Sequence, residues 1–477
     1  MRGRTNVLSR VDPSDENINI NANVETYEVY KDQSVFKGHM VDFITEKTTA
    51  DISIGNYGSY NVKKFIFKLS NNKIACFVSV RRSLRPPGYL SIIEYGNNQL
   101  TNVLSNYSLS CIYEVIEISQ DNFLIFETPG SYSSKLQIKS YFLTINTDTN
   151  GVVTKGYTLN TSLSDYAWDY ERFFDYKVKK NDNNIYAFLM FTSTTNYLTK
   201  ILYVKIDFSG DNISNFTFSL NIAKEFLSYT LSSEKYYNIS DFYVINDNVY
   251  VFYGVNYFGK ENYKYNYFRY IRMISGSTIG SQLDVTNNDT TKGLCIIVSG
   301  LKFKLFFVDE NNNVLTREIN CETCTASSFN PIIGNVGNIN ELFNIPNGSV
   351  DKIKMFNLNN NKFLFTLDMY YKSNLNDKIF ISEIVEEGLV VYEYKEYNVE
   401  NPDILSLYEN DFLYLDNLYN SYEVRLIHFI VENNIITGGD NTNKTYVKNA
   451  SSLQYIRGIA KESGTSGQII DVYIPKI

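Results

Sequence analysis

The sequence predicts an all-β protein: a seven-bladed β-propeller inserted between N- and C-terminal segments that pair into a small β-barrel or sandwich. Three observations predict this. The composition favours strands, one hairpin pattern recurs along the middle of the chain, and the two ends share a pattern of their own.

Aromatic residues make up 15% of the 477 positions, with 40 Tyr and 31 Phe against a single Trp. Such side chains suit the pleated, half-buried surface of a sheet. With only 8 Pro, the turns fall to Asn, Asp and Gly, which tolerate positive φ. Hydrophobic content of 44% supports a sizeable core, and length alone suggests about three domains.

An apolar-alternating strand, a turn of Asn, Asp or Gly, and a second strand dense in aromatics recur seven times. The copies are FIFKLSNNKIACFVSV, YEVIEISQDNFLIFETP, FDYKVKKNDNNIYAFLMF, SDFYVINDNVYVFYGV, LCIIVSGLKFKLFFVD, IKMFNLNNNKFLFTLDMYY and ILSLYENDFLYLDNLY, with turns centred on Asn72, Asn122, Asn183, Asp247, Gly300, Asn360 and Asn410. Successive centres lie roughly 50 to 64 residues apart, at the upper end of propeller repeats or above it. Further strand-like segments follow the hairpins, such as LTKILYVKIDF and YFRYIRMI. A four-stranded sheet cannot hide both faces alone, and radial stacking of such sheets buries them. Solenoid coils of about 20 to 30 residues are too short for this period, and sandwich domains of about 100 too long. The propeller is assigned to residues 61–439.

Residues 1–60 and 440–477 fall outside the repeat. TYEVYKDQSVFKGHMVDFI has two apolar alternations around Lys37-Gly38, and SLQYIRGIAKESGTSGQIIDVYIP has the same layout around Gly464 and Gly467. Domain insertion is tolerated where chain ends lie close, so the two segments are expected to form one small domain. Its anchor residues are Val35, Val41, Phe43, Gly458, Ile459, Ala460, Ile470 and Val472.

VFKGHMVDFI and GIAKESGTSGQIIDVYIP resemble the paired ends of small β-barrel modules in tailed-bacteriophage virion proteins, both capsid-decorating and tail-fibre-like. There an early Gly-Asp-x-Val-type strand is matched by a late Gly-x-Ala, a small-residue turn and a Val-x-Val strand. Here Gly38-His39 stands where that pattern has Gly-Asp. The resemblance implies a virion structural protein, assembled in the bacterial cytoplasm in multiple copies. Its barrel would be held by capsid, tail or baseplate proteins, and its propeller displayed to a host-surface glycan or protein.

A formal charge of -8 and a pI near 5.1 oppose a nucleic-acid footprint. MRGRTNVLSRVDPSDENI has positive charge but no apolar stretch behind it, so no secretory signal is expected. No run approaches the roughly 18 apolar residues of a membrane span. Five cysteines are an odd number, and only Cys321 and Cys324 lie close together. Their C-x-x-C spacing is half of a zinc site, but His39 and His428 are the only histidines to complete it. Two thiols or a local disulfide are expected there, with no metal and no cofactor.

Nucleophilic catalysis would have to recruit His39 or His428, both inside apolar strand patterns, and no G-x-S-x-G elbow, P-loop or dinucleotide fingerprint occurs. Glycoside hydrolysis is the enzymatic alternative, with Asp165, Asp169, Glu171 and Asp175 either a carboxylate set or a solvated loop. The Ser-x-Asp-x-Gly-x-Thr-Trp turns of sialidase-like propellers are missing, and only Trp168 is there to stack on a sugar. Binding is better supported. Tyr166, Trp168 and Tyr170 cluster in SDYAWDYERFFDY, and Tyr257, Tyr263 and Tyr265 in NYFGKENYKYNYFRY, where exposed aromatics would suit protein or sugar contacts and inward ones the blade core. Arg81, Arg82 and Arg85 beside Pro86-Pro87-Gly88 form either a rigid basic protrusion or a solvated loop. A non-enzymatic binding protein is expected.

Overall fold

The computed structural model describes most of the chain between Ala22 and Pro475. Residues 1–21, 30–33, 48–50, 81–86, 165–173, 193–197, 231–234, 258–266, 285–292, 332–337, 339–348, 397–402, 450–457 and 476–477, with several shorter connections, lie outside the described residues. The described elements are β-strands, and the chain divides into two compact units, residues Met1–Ala50 with Gly438–Ile477, and Asp51–Thr437.

The larger unit is a propeller. Its five blades follow one another along the chain: Val62–Cys111, Glu114–Ser164, Phe174–Thr230, Lys235–Asp284 and Gly293–Pro331, each an antiparallel sheet of four or five strands, with the short strand Gly130–Tyr132 of the second out of sequence beside Lys135–Asn146. The hairpin opening each blade is made as the turn residues require. Asn71 and Asn72 (φ 55° and 54°), Asp121 (64°), Asp182 (49°), and Asn246 and Asp247 (49° and 59°) take the left-handed conformation, which Asn and Asp tolerate and which matches the twist of two-residue hairpins.

Alternation along each strand then turns apolar residues to both faces, and the blades stack. Phe65, Phe77 and Leu90 of the first blade pack on Phe123, Ile125 and Leu143 of the second. Phe126 and Phe142 of the second meet Tyr176, Leu189 and Leu202 of the third. Phe188, Tyr203 and Phe226 meet Phe242 and Val251, and Tyr250 and Phe252 meet Phe303 and Leu305. Burying one such side chain is worth about 1.5 to 3 kcal/mol, so each interface is a hydrophobic core in its own right.

Two further sheets complete the unit. Strands Ser349–Asn359, Lys362–Tyr371, Asn374–Val385 and Gly388–Val391 pair in order, with side chains outside the described set. The closing sheet is composite: Asp403–Ser406, Asp411–Asn417, Glu423–Glu432 and Ile435–Gly438 are joined by Asp51–Asn56 from the other end of the unit. It stacks on the first blade through Leu413, Leu415 and Leu426 against Ile74, Cys76 and Val78.

The expectation of seven like blades is therefore corrected. Five continuous blades, with described packing between consecutive ones, are what the hairpin pattern correctly located. The sheet built around the last hairpin is assembled from two distant segments, and the turns at Asn360 and Asn410 lie outside the described residues. For the same reason the unit begins at Asp51 rather than at residue 61. Strand Asp51–Asn56 is fixed to Glu423–Glu432 by the Arg425 guanidinium, which donates from Nε to Asp51 Oδ1 at 2.7 Å and lies 2.7 Å from Oδ2 through a terminal nitrogen.

The smaller unit is a closed barrel in the order Ala22–Val29, Asn443–Asn449, Met40–Lys47, Gly458–Ala460, Ile469–Pro475. Ala22–Val29 runs antiparallel to Ile469–Pro475, from Ala22 opposite Pro475 to Glu28 opposite Ile469. Val29, Val35, Val41, Ala460, Ile470 and Val472 fill it, with Tyr27 and Phe43 packed against them. A Cβ at Gly464 would collide with Ile470, so the turn before the last strand needs glycine there.

Candidate functional site

At two described places a charged residue on the first strand of one blade meets one on the first strand of the next. Val62–Lys68 alternates, which puts Lys63 on the face toward the second blade. Lys63 Nζ lies 2.7 Å from Glu114 Oε2 and donates to the Tyr176 carbonyl oxygen at 3.2 Å, so one ammonium ties three consecutive blades. Two blades on, Lys179 Nζ lies 2.7 Å from Asp241 Oδ1 and 4.0 Å from the Tyr243 ring centroid. The Tyr243 hydroxyl donates in turn to the Ile296 carbonyl oxygen of the fifth blade.

These pairs set the electrostatics of the first strands. Burial, then the neighbouring Asp241 carboxylate, holds the Tyr243 phenol above its ordinary range. The same two causes push the Cys295 thiol up to about 12, which leaves it protonated at neutral pH and unsuited to nucleophilic attack. Glu117 is half-buried, and burial raises its carboxyl pKa against the opposing pull of Lys180. Lys180 Nζ itself donates to the Ile118 carbonyl oxygen. Glu114 and Asp241 each face a lysine ammonium, and burial disposes Glu117 to keep its proton above the ordinary carboxyl range.

The expected binding residues fall mainly outside the described set. Arg81, Arg82, Arg85, Tyr166, Trp168, Tyr170, Tyr263 and Tyr265 lie there, as do the acids Asp165, Asp169 and Glu171. Tyr257 ends strand Asn248–Tyr257 opposite Lys235, and Asp175 pairs with Met190. The strands around these segments do decide one thing. Arg81, Arg82 and Arg85 follow the second strand of a blade, Tyr166 to Tyr170 follow a fourth strand, and Tyr257 to Tyr265 follow a second strand. In an antiparallel sheet, second and fourth strands end at the same edge, opposite the tight Asn and Asp turns. The described strands Lys73–Val80, Gly151–Ser164 and Asn248–Tyr257 therefore end at the corresponding edge of their blades.

The anchor residues come together as a core. Val35, Val41 and Val472 are fully buried, Ala460 and Ile470 nearly so, and Phe43 packs beside them. Gly458 and Ile459 pair with Val41 and Met40. His39 departs from its expected place in a strand: it sits in the turn before Met40–Lys47, where Gly38 takes φ 82° and Phe36 packs edge-on at 5.3 Å. His428 is in a strand and fully buried, with Nε2 3.3 Å from the Tyr95 hydroxyl and 3.7 Å from Asp411 Oδ1. Cys321 is buried and Cys324 lies outside the described residues. Among the described residues no three His, Cys, Asp or Glu side chains form a metal-sized cluster.

Sequence reasoning missed Lys63, Glu114, Glu117, Lys179 and Asp241. A signal was present, because the first strand of the first four hairpins carries a charge among its apolar residues.

No protein-family model matches the chain, and no curated protein does. Among solved structures it is similar to a periplasmic gluconolactonase of Pseudomonas aeruginosa, at 10% identity over 87% of this chain and 100% of that one, TM-score 0.46. An ulvan lyase from a polysaccharide lyase family is similar at 10% identity over 83% and 98%, TM-score 0.45. An α-L-arabinofuranosidase of Fusarium graminearum is similar at 9% identity over 75% and 99%, TM-score 0.38. At these levels the likenesses bear no functional argument, and the all-β propeller rests on the strand pairing and stacking of the chain itself.

Proposed function

We propose that this chain is a non-enzymatic structural protein of a tailed-phage virion, attached to the particle through its barrel and presenting the propeller to a host-surface glycan or protein. The observation that carries the reading is the barrel: both ends of the chain close into one small unit with its own core, and the whole propeller is inserted between them. Such a unit can hold a partner without involving the propeller's loops. The second contact is assigned to the arginine- and aromatic-rich stretches that follow strands Lys73–Val80, Gly151–Ser164 and Asn248–Tyr257 in the sequence. The neighbouring virion proteins would be the attachment partners, in several copies per particle.

A second reading, action on a surface polysaccharide, draws on Glu117, whose raised pKa suits a general acid. Against it, Glu114 is neutralised by Lys63 and Asp241 by Lys179, which leaves neither as a ready second carboxylate. Incubating the purified chain with surface polysaccharides and assaying new reducing or unsaturated ends separates the two readings. Retention on a polysaccharide without turnover supports the first. Turnover lost in Glu117→Gln overturns it.

A further inference from the structure

Tyr186 and Tyr203 stand on adjoining strands of the third blade, Asn184–Thr192 and Leu198–Ser209, and both side chains are fully buried against the fourth. Register puts Lys205 directly opposite Tyr186 and Lys224 opposite Tyr203, so all four share one face. Neither phenol hydroxyl has a hydrogen-bond partner among the described residues. A buried hydroxyl left unpaired opposes folding, and Phe would fill the same space without that cost.

Lys205 Nζ lies 5.4 Å from the centre of the Tyr186 ring, and Lys224 Nζ 5.9 Å from the centre of the Tyr203 ring. Asp182 and Asp247, at the hairpin tips of the third and fourth blades, are near enough to act on the phenols. Burial, then the Asp247, Asp182 and Asp207 carboxylates, pushes the Tyr186 phenol up to about 12. Burial, then Tyr186 and Asp247, raises the Tyr203 phenol likewise. Both Asp207 oxygens accept from Asn221 Nδ2, at 3.0 and 2.8 Å, but among the described residues Lys205, Asp182 and Asp247 enter no ion pair. Two hydroxyls, an ammonium and two carboxylates thus converge on the edge of one blade interface without neutralising one another.

We propose that this edge binds a neutral sugar, a contact additional to the arginine- and aromatic-rich stretches and an inference that rests on the propeller being the unit that meets a glycan. A sugar hydroxyl both donates and accepts, so neighbouring hydroxyls can accept from Tyr186, Tyr203 and Lys205 while donating to Asp182 or Asp247. An anion such as sulfate or phosphate fits poorly beside three carboxylates. A metal ion fits poorly as well. Two ammonium groups lie over the same rings, and among the described residues no three His, Cys, Asp or Glu side chains form a metal-sized cluster.

The test titrates the full chain with neutral gluco-, galacto- and rhamno-oligosaccharides, with their sulfated counterparts and with calcium chloride, read by calorimetry. Tyr186→Phe and Tyr203→Phe should each weaken neutral-sugar binding about three- to tenfold, while thermal melting stays equal or rises, because each removes an unpaired buried hydroxyl. Lys205→Met should weaken it similarly. Tyr141→Phe removes another such hydroxyl, between the first and second blades, and should leave binding intact. If wild type binds and the Tyr186, Tyr203 and Lys205 variants bind equally well, this site is wrong while glycan binding by the propeller stands. If wild type binds none of the neutral sugars, the site falls, and attachment through the barrel, read on particles, is untouched. Binding of the sulfated sugars or of calcium alone would overturn the choice of ligand.

Discussion

Replacing Arg425 by Leu removes the clasp that fixes the propeller's first strand to its closing sheet. The pair is bidentate, with both contacts at 2.7 Å, and its side chains are exposed by only 28% for Arg425 and 11% for Asp51. Breaking a fully buried pair by removing one partner costs about 3 to 5 kcal/mol, whereas an exposed pair contributes less than about 1. This site lies between those limits, so Arg425→Leu should cost about 2 to 3 kcal/mol, most of it from taking the guanidinium away from the Asp51 carboxylate. Adding Asp51→Asn should return a large part of that loss, since no buried charge then remains. Urea unfolding of the four members of this double-mutant cycle, followed by tyrosine fluorescence, measures the coupling. A single variant as stable as wild type, or a double variant no better than the single, would refute the view that this ion pair closes the unit.

Glu117→Gln should stabilise the chain at neutral pH and do nothing near pH 4. A raised folded pKa means the native state binds the proton more tightly than the unfolded state, so stability falls as pH rises from the ordinary carboxyl value through the folded one; equal effects at both pH values would contradict this. Cys295, with its thiol pushed up to about 12, should resist alkylation at neutral pH until the propeller unfolds, and rapid labelling of the native chain would show otherwise. Val472→Ala, at a fully buried barrel position, should cost about 1 to 3 kcal/mol in the barrel transition alone. A parallel loss in the propeller melt would deny the two units their separate cores.

Much of the fold was legible because it rests on local rules. Asn, Asp and, in the fifth, Gly at the hairpin tips and alternation on either side reveal the five continuous blades without any knowledge of the ring. Closure was not legible in the same way. Asp51–Asn56 pairs with a strand that starts more than three hundred residues later, and neither its composition nor its period distinguishes it from the barrel segment before it. The pairing of the two ends could be read from the matching layouts around Lys37-Gly38 and Gly464, since a one-residue slip would turn Val35, Val41, Ile470 and Val472 outward. The first-strand pairs Lys63–Glu114 and Lys179–Asp241 escaped because their partners meet only when blades stack, a relation that no spacing along the chain encodes. His39 was misplaced because it directly follows the Lys-Gly turn, where the apolar alternation of HMVDF does not show at which residue the strand begins.

Attachment through the barrel, not the propeller, is what we propose. Its most direct test is co-sedimentation of purified particles with the full chain and with residues 51–437 alone, after melting shows that the shorter chain keeps the propeller transition. The full chain should sediment with particles and residues 51–437 should stay in the supernatant. Equal occupancy of the two on the particle would contradict it.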